Sequence, residues 1–387
     1  METFPRVNSQ LLAKIAGRLM RCPASPHHED AVRTEAEQIC REYGLNFKRD
    51  SYGNLLVRIQ TTKAIRPFAL AAHLDHPGFE IIRSLGKQKW LARFLGGVPD
   101  EYFKSGIPVR LMPGAIRGKL GKRIGKQKEF EILSDQPLET VPQFAVWELE
   151  DFAIRNQQIH GRACDDLVGV AATLTAMIAL KQSCARVNVI GVISLAEEVG
   201  FHGALAVATS KELPKDSLIV SLETSRELPP VKMGKGVIVR VGDRTSIFDS
   251  AATRFLMEVG GDLKKRNKAF QFQRALMYGG TCEATAYQEY GFQTTAVCVA
   301  LGNYHNCADR KKIDAEYVNL ADASSMVELL MSAARQMANY PKLINRLPLR
   351  LNKLLREARK HASPKTRIKE RGKARGIAEV EKSATSH

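Results

Sequence analysis

Five short stretches of this chain hold side chains able to do chemistry. They are AAHLDHPGF with His73 and Asp75, GRACDDLVG with Asp165 and Asp166, SLAEEVGFHGA with Glu197 and Glu198, VSLETS with Glu223, and GNYHNC with His305. Two imidazoles and several carboxylates, with no paired cysteines, form a nitrogen-and-oxygen donor set. Such a set suits Zn, Co or Mn better than an iron–sulfur cluster or a Cys-rich structural zinc site. There are more carboxylates than one ion needs. A carboxylate bridging two ions lets two imidazoles and two further acids complete two sites, and ions ~3.5–4 Å apart can clamp a hydrolytic water together with a scissile carbonyl. Each stretch alone is weak, because most adjacent acid pairs are solvated surface and most histidines after a strand are structural. Glu197–Glu198 weighs more, since it follows an apolar strand where unpaired charge would be costly to bury.

Convergence of these groups requires elements that aim them at one place. Four of the five stretches follow buried-strand patterns, and in open α/β sheets ligands collect beyond the carboxyl ends of strands. Val187–Ser194 is a near-continuous apolar run, as a buried parallel strand would be, and Ser217–Leu222 and Thr294–Ala300 repeat it. Asn54–Gln60 and Phe68–Ala72 also read as strands. Helical spacing predicts a helix over Pro26–Tyr43 with Ser25 as its cap, an Ala-rich one over Leu167–Leu180, and a long one over Ala315–Tyr340. Asp165 and Asp166 open the second of these. Helices alternating with buried strands predict an α/β fold with a mostly parallel sheet covered on both faces. Residues 78–158 differ: short apolar runs alternate with Gly, Pro and Lys, which predicts a small inserted β-rich domain. The expected organisation is a catalytic domain in two parts, 1–77 and 159–346, around the insert, followed by a basic tail over 347–387.

Length and composition set the outer bounds. The chain has 387 residues, 44% hydrophobic and 26% charged, which excludes collagen-like, coiled-coil and wholly disordered classes. No apolar run approaches the ~18 residues of a membrane helix. No secretory signal is visible, and the seven cysteines form no CxxC, so they read as reduced thiols of a cytoplasmic protein. The net charge is +17, and residues 341–387 supply +10 of it with 14 basic and 4 acidic residues. Leu347–Ala362 can form a short basic helix bearing Leu349, Leu351, Leu354 and Leu355, and Ser363–His387 is polar and basic. A solvated extension, contact with nucleic acid or an acidic partner, and association with a membrane surface are all open for this tail. No nucleic-acid motif accompanies the charge.

Taken in order, the stretches resemble the M42 family of dinuclear metallo-aminopeptidases, the glutamyl- and tetrahedral-aminopeptidase-like enzymes. The resemblance covers about residues 8–340. PASPHHEDAVR and Asp50–Asn54 are similar to the family's amino-terminal pattern, AHLDHPGF to its first metal motif, GRACDDLVGV to its bridging-aspartate motif, and AEEVGFHGA to its base-plus-ligand pair. MGKGVIVRVGDR, GGTCEATA and the late histidine fall where the family has their counterparts. The resemblance implies a metallopeptidase fold of the phosphorylase/hydrolase-like kind with an inserted small β-barrel that serves assembly. It implies two divalent metals per subunit, Zn or Co first and Mn as the alternative. His73 would bind one metal and His305 the other, with Asp165 bridging, Glu198 terminal beside His305 and Glu223 terminal beside His73. Glu197 would be the general base acting on a metal-bound water that becomes the attacking hydroxide. Asp75 would hydrogen-bond the far nitrogen of His73. A cis peptide is implied at Asp165–Asp166. Peptides are the implied substrates, and a homo-oligomer, often a dodecamer, the implied assembly. The sequence departs from the pattern in three places. Glu223 stands where Asp is usual, GGTCEA where GGTDA is usual, and GNYHN replaces a more basic approach to the last histidine. Two rival readings stand beside the aminopeptidase: an amidohydrolase or deacylase on the same metal site, and a non-catalytic binding protein with a basic tail. Gly279–Thr281 reads as a substrate-contact turn, His76 and His202 as supporting groups, and Cys164 and Cys307 as packing residues.

Overall fold

The computed structural model describes residues 7–125, 127–138 and 140–361. The chain opens with α1 (Ser9–Met20), α2 (Asp30–Glu42), β1 (Asn46–Arg49), β2 (Leu55–Gln60) and β3 (Phe68–His73). Six strands follow: β4 (Gly78–Gly86), β5 (Lys89–Leu95), β6 (Pro108–Met112), β7 (Ile116–Arg123), β8 (Glu129–Ser134) and β9 (Phe144–Trp147). Next come β10 (Ala153–Arg155), β11 (Gln158–Gly161), α3 (Cys164–Gln182), β12 (Asn188–Ser194), α4 (His202–Thr209), β13 (Leu218–Arg226), β14 (Val237–Gly242) and α5 (Ser250–Arg266). The last group is β15 (Phe272–Leu276), α6 (Glu283–Glu289), β16 (Gln293–Gly302), β17 (Cys307–Ala308), β18 (Lys312–Ile313), β19 (Glu316–Asn319), α7 (Leu320–Gln336), α8 (Tyr340–Ile344) and α9 (Arg346–Lys360). The chain forms two compact units, one up to Ala338 and one from Asn339.

The first unit is built on an eleven-stranded sheet in the order β1-β2-β12-β3-β13-β16-β19-β11-β10, with β14 and β15 branching from β16. Its centre, β12-β3-β13-β16, is parallel. Its flanks, β1-β2-β12 and β16-β19-β11-β10, are antiparallel. The sheet is therefore mixed, parallel in the middle and in the β14-β15 branch, where α5 makes the crossover. Tight connections such as that between β10 and β11 force antiparallel pairing. The helix α3 is buried nearly all round and lies against β3 and β13 with α1 and α7 beside it, as a helix apolar on every side must. On the other side, α4 and α6 close over Leu56, Ala69, Ala71, Ile190 and Val192.

Strands β4 to β9 close a six-stranded barrel in the order β4-β5-β8-β7-β6-β9. Its core is aromatic. Phe79 meets Phe94 and Trp147 edge to face, with centroids 4.9 Å apart in both pairs, and Phe103 stacks on Phe130 at 4.7 Å. The barrel strands end at Trp147, and β10 already pairs in the large sheet, so the last part of 78–158 belongs to the sheet.

Two helix boundaries differ from the sequence reading. The helix α2 starts at Asp30, four residues after Pro26, and Ser25 does not cap it. The preceding turn is held instead by the Glu29 carboxylate, which accepts from the amides of His27 and Ala196 at 3.1 and 2.9 Å. Residues 316–319, expected as helix, pair as β19 with β11 and β16, and α7 begins at Leu320 under an Asn319 cap. The tail helix runs Arg346–Lys360. The expectation for Ser363–His387 lies outside the described residues.

Candidate metal centre

Because β12, β3, β13 and β16 are neighbours and parallel, their carboxyl ends open at one edge. His73 is the last residue of β3, Glu223 lies toward the end of β13, Glu197 and Glu198 follow β12, and His305 follows β16. Asp165 enters from the start of α3, where its own backbone and that of Asp166 are non-helical and the peptide between them is cis. Donor atoms of His73, Asp165 and Glu223 lie within 4.8 Å of one another, and so do those of Asp165, Glu198 and His305. Asp165 is common to both groups. Its Oδ1 is 3.7 Å from His73 Nε2 and its Oδ2 is 3.5 Å from His305 Nε2. Glu198 Oε1 approaches His305 Nε2 to 3.1 Å. Glu197 projects its Oε2 to 4.0 Å from His73 Nε2.

The surrounding contacts fix each of these groups. His73 Nδ1 is 3.0 Å from the backbone carbonyl of Asp75 and 3.5 Å from its carboxylate. The Asp75 carboxylate accepts from the amides of Glu197 and Glu198 at 2.9 and 3.0 Å, so its closest hydrogen bonds go to the acid pair and not to the imidazole. His305 Nδ1 meets the carbonyl of Gly97, which follows β5 of the barrel, at 3.0 Å. His76 lies between the carbonyl of Asp165, at 2.7 Å, and Asn306 Oδ1, at 3.1 Å. Asn54 Oδ1 accepts from the amide of Leu195 at 3.0 Å, and its Nδ2 donates to the carbonyl of Gly203, also at 3.0 Å. A side chain at Gly203 would collide with that Asn54 oxygen and with the backbone of Leu195, so the turn that presents Glu197 and Glu198 needs a glycine there.

Electrostatics test whether these residues suit cations. Buried Asp75, Asp165, Asp166, Glu197, Glu223, Glu283 and Glu316 stand with three buried imidazoles, His73, His76 and His305, and with Arg240. Burial, aided by Glu223, Glu198 and Asp75, pushes the Glu197 carboxyl well above its usual range although His73 opposes it. Glu223 is pushed up to about 8, chiefly by burial. His73 and His305 are raised despite burial, by Glu197 and Asp75 at the first and by Glu198 and Asp165 at the second. Asp165 Oδ1 and Glu223 Oε1 are buried without a hydrogen-bond partner. Orphaned carboxylate oxygens amid excess negative charge are what a cation would satisfy, and the oxygen-and-imidazole donor set fits a borderline divalent metal.

Sequence reasoning missed two buried carboxylates. Glu316 accepts from the amides of Asp165 and His305 at 3.0 and 2.8 Å, tying together two candidate ligands. No sequence signal marks it, since a single acid before a tyrosine in a short strand looks solvated. Glu29 could have been found in the amino-terminal motif PASPHHEDAVR. Glu283, one of the departures noted in the sequence, is fully buried and accepts from Ser194 Oγ at 2.8 Å. The cluster opens into a cavity of about 320 Å³ whose outer wall includes Gly279–Thr281, Tyr304, Arg226, Arg240 and Arg244. Cys164 is buried, and Cys307 packs beside the barrel core.

A mixed α/β sheet that aims imidazoles and carboxylates from one edge, beside a closed barrel, is a build shared with solved peptidases. Solved structures with this fold include a TET1 peptidase of Pyrococcus horikoshii that can assemble into a tetrahedron or a large octahedral shell, at 22% identity over 84% of this chain and 99% of that one, with a TM-score of 0.70. An aminopeptidase of the archaeon Desulfurococcus kamchatkensis matches at 20% identity over 87% and 98%, with a TM-score of 0.70. A TET aminopeptidase of a marine sediment archaeon of the Thaumarchaeota matches at 18% over 85% and 99%, with a TM-score of 0.71. The family model for M42 glutamyl aminopeptidase matches residues 140–326. That match covers just under half of the chain, and the solved structures share its fold over most of its length. Among the described residues no helix is long and apolar enough to cross a membrane.

Proposed function

We propose that this chain removes N-terminal residues from peptides at a two-metal centre and favours acidic ones. His73 and Glu223 hold one ion, Glu198 and His305 the other, and Asp165 both; Zn or Co suits the donors best. The observation behind this reading is that Asp165 belongs to both ligand groups with its two oxygens facing different imidazoles. Such ions supply Lewis-acid polarisation of the scissile carbonyl and an activated water at neutral pH. Glu197 is the general base: it takes the proton of the attacking water and passes it to the leaving amine. Its raised affinity for protons suits a group that must accept one and hold it. Asp75 positions it through the amides of Glu197 and Glu198. The remaining carboxylates receive the free amino group of the substrate, which gives exopeptidase behaviour.

The acidic preference rests on the arginines that line the same cavity as the ligands. Arg240 is 3% exposed, its Nη1 makes only a 3.4 Å bond to Ser225 Oγ, and its Nε has no hydrogen-bond partner among the described residues. Arg226 and Arg244 flank it on the same cavity. Three guanidinium groups recognise a carboxylate side chain, in line with the family's description as glutamyl aminopeptidase. The barrel, whose strands run from Gly78 to Trp147, serves assembly into a homo-oligomer, by likeness to the assembling P. horikoshii peptidase.

Cleavage of a panel of aminoacyl reporters after metal reconstitution tests this reading. Glutamyl and aspartyl reporters should turn over fastest. Glu197→Gln should retain metal while kcat falls by about 10²–10⁴. Near-normal turnover in that variant would remove Glu197 as base, and cleavage confined to acylated amino acids would replace the aminopeptidase reading with a deacylase.

A further inference from the structure

Helix α9 presents an apolar stripe to solvent. Leu351, Leu354 and Leu355 follow i, i+3, i+4 spacing, with Leu347 and Ala358 on the same side, and those three leucines are 52%, 51% and 49% exposed. Leu349, on the other side, is also exposed. No residue of the helix is buried. Around the remaining surface run Arg346, Arg350, Lys353, Arg356, Arg359 and Lys360, against one acid, Glu357. The sequence that follows adds further Lys and Arg.

Three occupants could be imagined, and the chemistry separates them. Nucleic acid would match the charge but leave the leucines unused, and the helix carries no aromatic side chain to stack on a base. A second copy would match the leucines but bring two basic faces together. An anionic lipid surface uses both features: leucines enter the boundary of the acyl chains while Lys and Arg stay among the headgroups. We propose that α9 is a membrane-surface helix that holds this peptidase against anionic lipid. The proposal is independent of the metal centre.

The test is flotation of the full-length protein with vesicles of phosphatidylglycerol and phosphatidylcholine in equal parts, beside vesicles of phosphatidylcholine alone. The protein should float with the anionic vesicles and stay behind with the neutral ones, less so as salt rises. Leu351→Asp with Leu354→Asp should lower partitioning about tenfold or more, as should Arg350→Glu with Lys353→Glu, each with unchanged reporter hydrolysis. No flotation with anionic vesicles would overturn the proposal. So would leucine variants that float as wild type, which would leave the charged tail as the binder, or a change of oligomer mass in those variants, which would give the stripe to a second copy.

Discussion

The two ligand groups of the metal centre are built in opposite ways. The His73 half is local and regular. Its imidazole ends a fully buried strand and is tethered through Nδ1 to a carbonyl two residues further on. The His305 half is assembled from distant chain on an unfavourable backbone. Asn303, His305 and Asn306 all have positive φ, at 54°, 53° and 61°. Such residues cost of order 1–3 kcal/mol each and persist only when their surroundings hold them. Here the holding is visible: Glu316 takes the His305 amide, Asn306 Nδ2 donates to the carbonyl of Arg162, Asn303 Nδ2 donates to that of Ala315, and Gly97 of the barrel region meets His305 Nδ1. Apart from the shared Asp165, one half therefore depends on the sheet, and the other on three side-chain clasps and the barrel. The first should tolerate damage at a distance and the second should not.

The largest expected effect comes from the one residue shared by the two halves. Asp165→Asn should remove both ions together and take hydrolysis to background, as elemental analysis beside activity would show; loss of a single ion would separate the halves. Next comes Glu316→Gln, which leaves one of two buried amides facing a donor. It should weaken the His305 ion most, by about 10–100-fold, and the other less, since Glu316 also holds the amide of the shared Asp165. An equal loss at both positions would deny the asymmetry. Asp75→Asn acts on the acid pair through the Glu197 and Glu198 amides. It should lower kcat by about tenfold or more and loosen the ion beside Glu198 and His305, while the ion beside His73, which the sheet still presents, is kept.

The smallest effect is on stability. Glu29 and Glu223 are each pushed up to about 8 and Glu283 to about 7, all mainly by burial. Between the ordinary carboxyl range and those values the folded chain keeps protons that the unfolded chain has released. Stability of the chelated protein therefore falls as pH rises through that window, by up to about 1.4 kcal/mol per pH unit per group. His73 and His305, raised by their carboxylate neighbours, act in the same direction, since their protonated form is favoured in the fold and that gain fades at higher pH. Melting temperatures of chelated protein should drop from pH 5 toward pH 8, and added divalent metal should flatten the curve. A flat curve without metal would mean that the carboxylates are less confined than their burial indicates.

The same contrast explains what was legible in the sequence. The buried strands ending in His73 and leading to Glu197 announce themselves, because continuous apolar runs followed by acids and a histidine have few other uses. The alternation of helices and strands pointed to the α/β class, and the Gly-, Pro- and Lys-punctuated stretch to a β-rich insert, which the family resemblance made a barrel. The antiparallel flanks were not legible, since periodicity is the same for either pairing direction. Glu316 was hidden for a related reason. It lies in a four-residue strand that the helical pattern of the following residues absorbs, and its importance arises only when Asp165 and His305 arrive from 151 residues upstream and 11 upstream of it. Asp75 was found as a partner of His73, whose Nδ1 is 3.5 Å from its carboxylate, but sequence spacing cannot show that the amides of Glu197 and Glu198 also hold it.

The central claim, two cations sharing Asp165, is tested most directly by anomalous diffraction from crystals of the Zn-reconstituted protein. The account predicts two peaks about 3.5–4 Å apart, one among His73, Asp165 and Glu223 and one among Asp165, Glu198 and His305. A single peak at full occupancy, or ions lying away from Asp165, would contradict it.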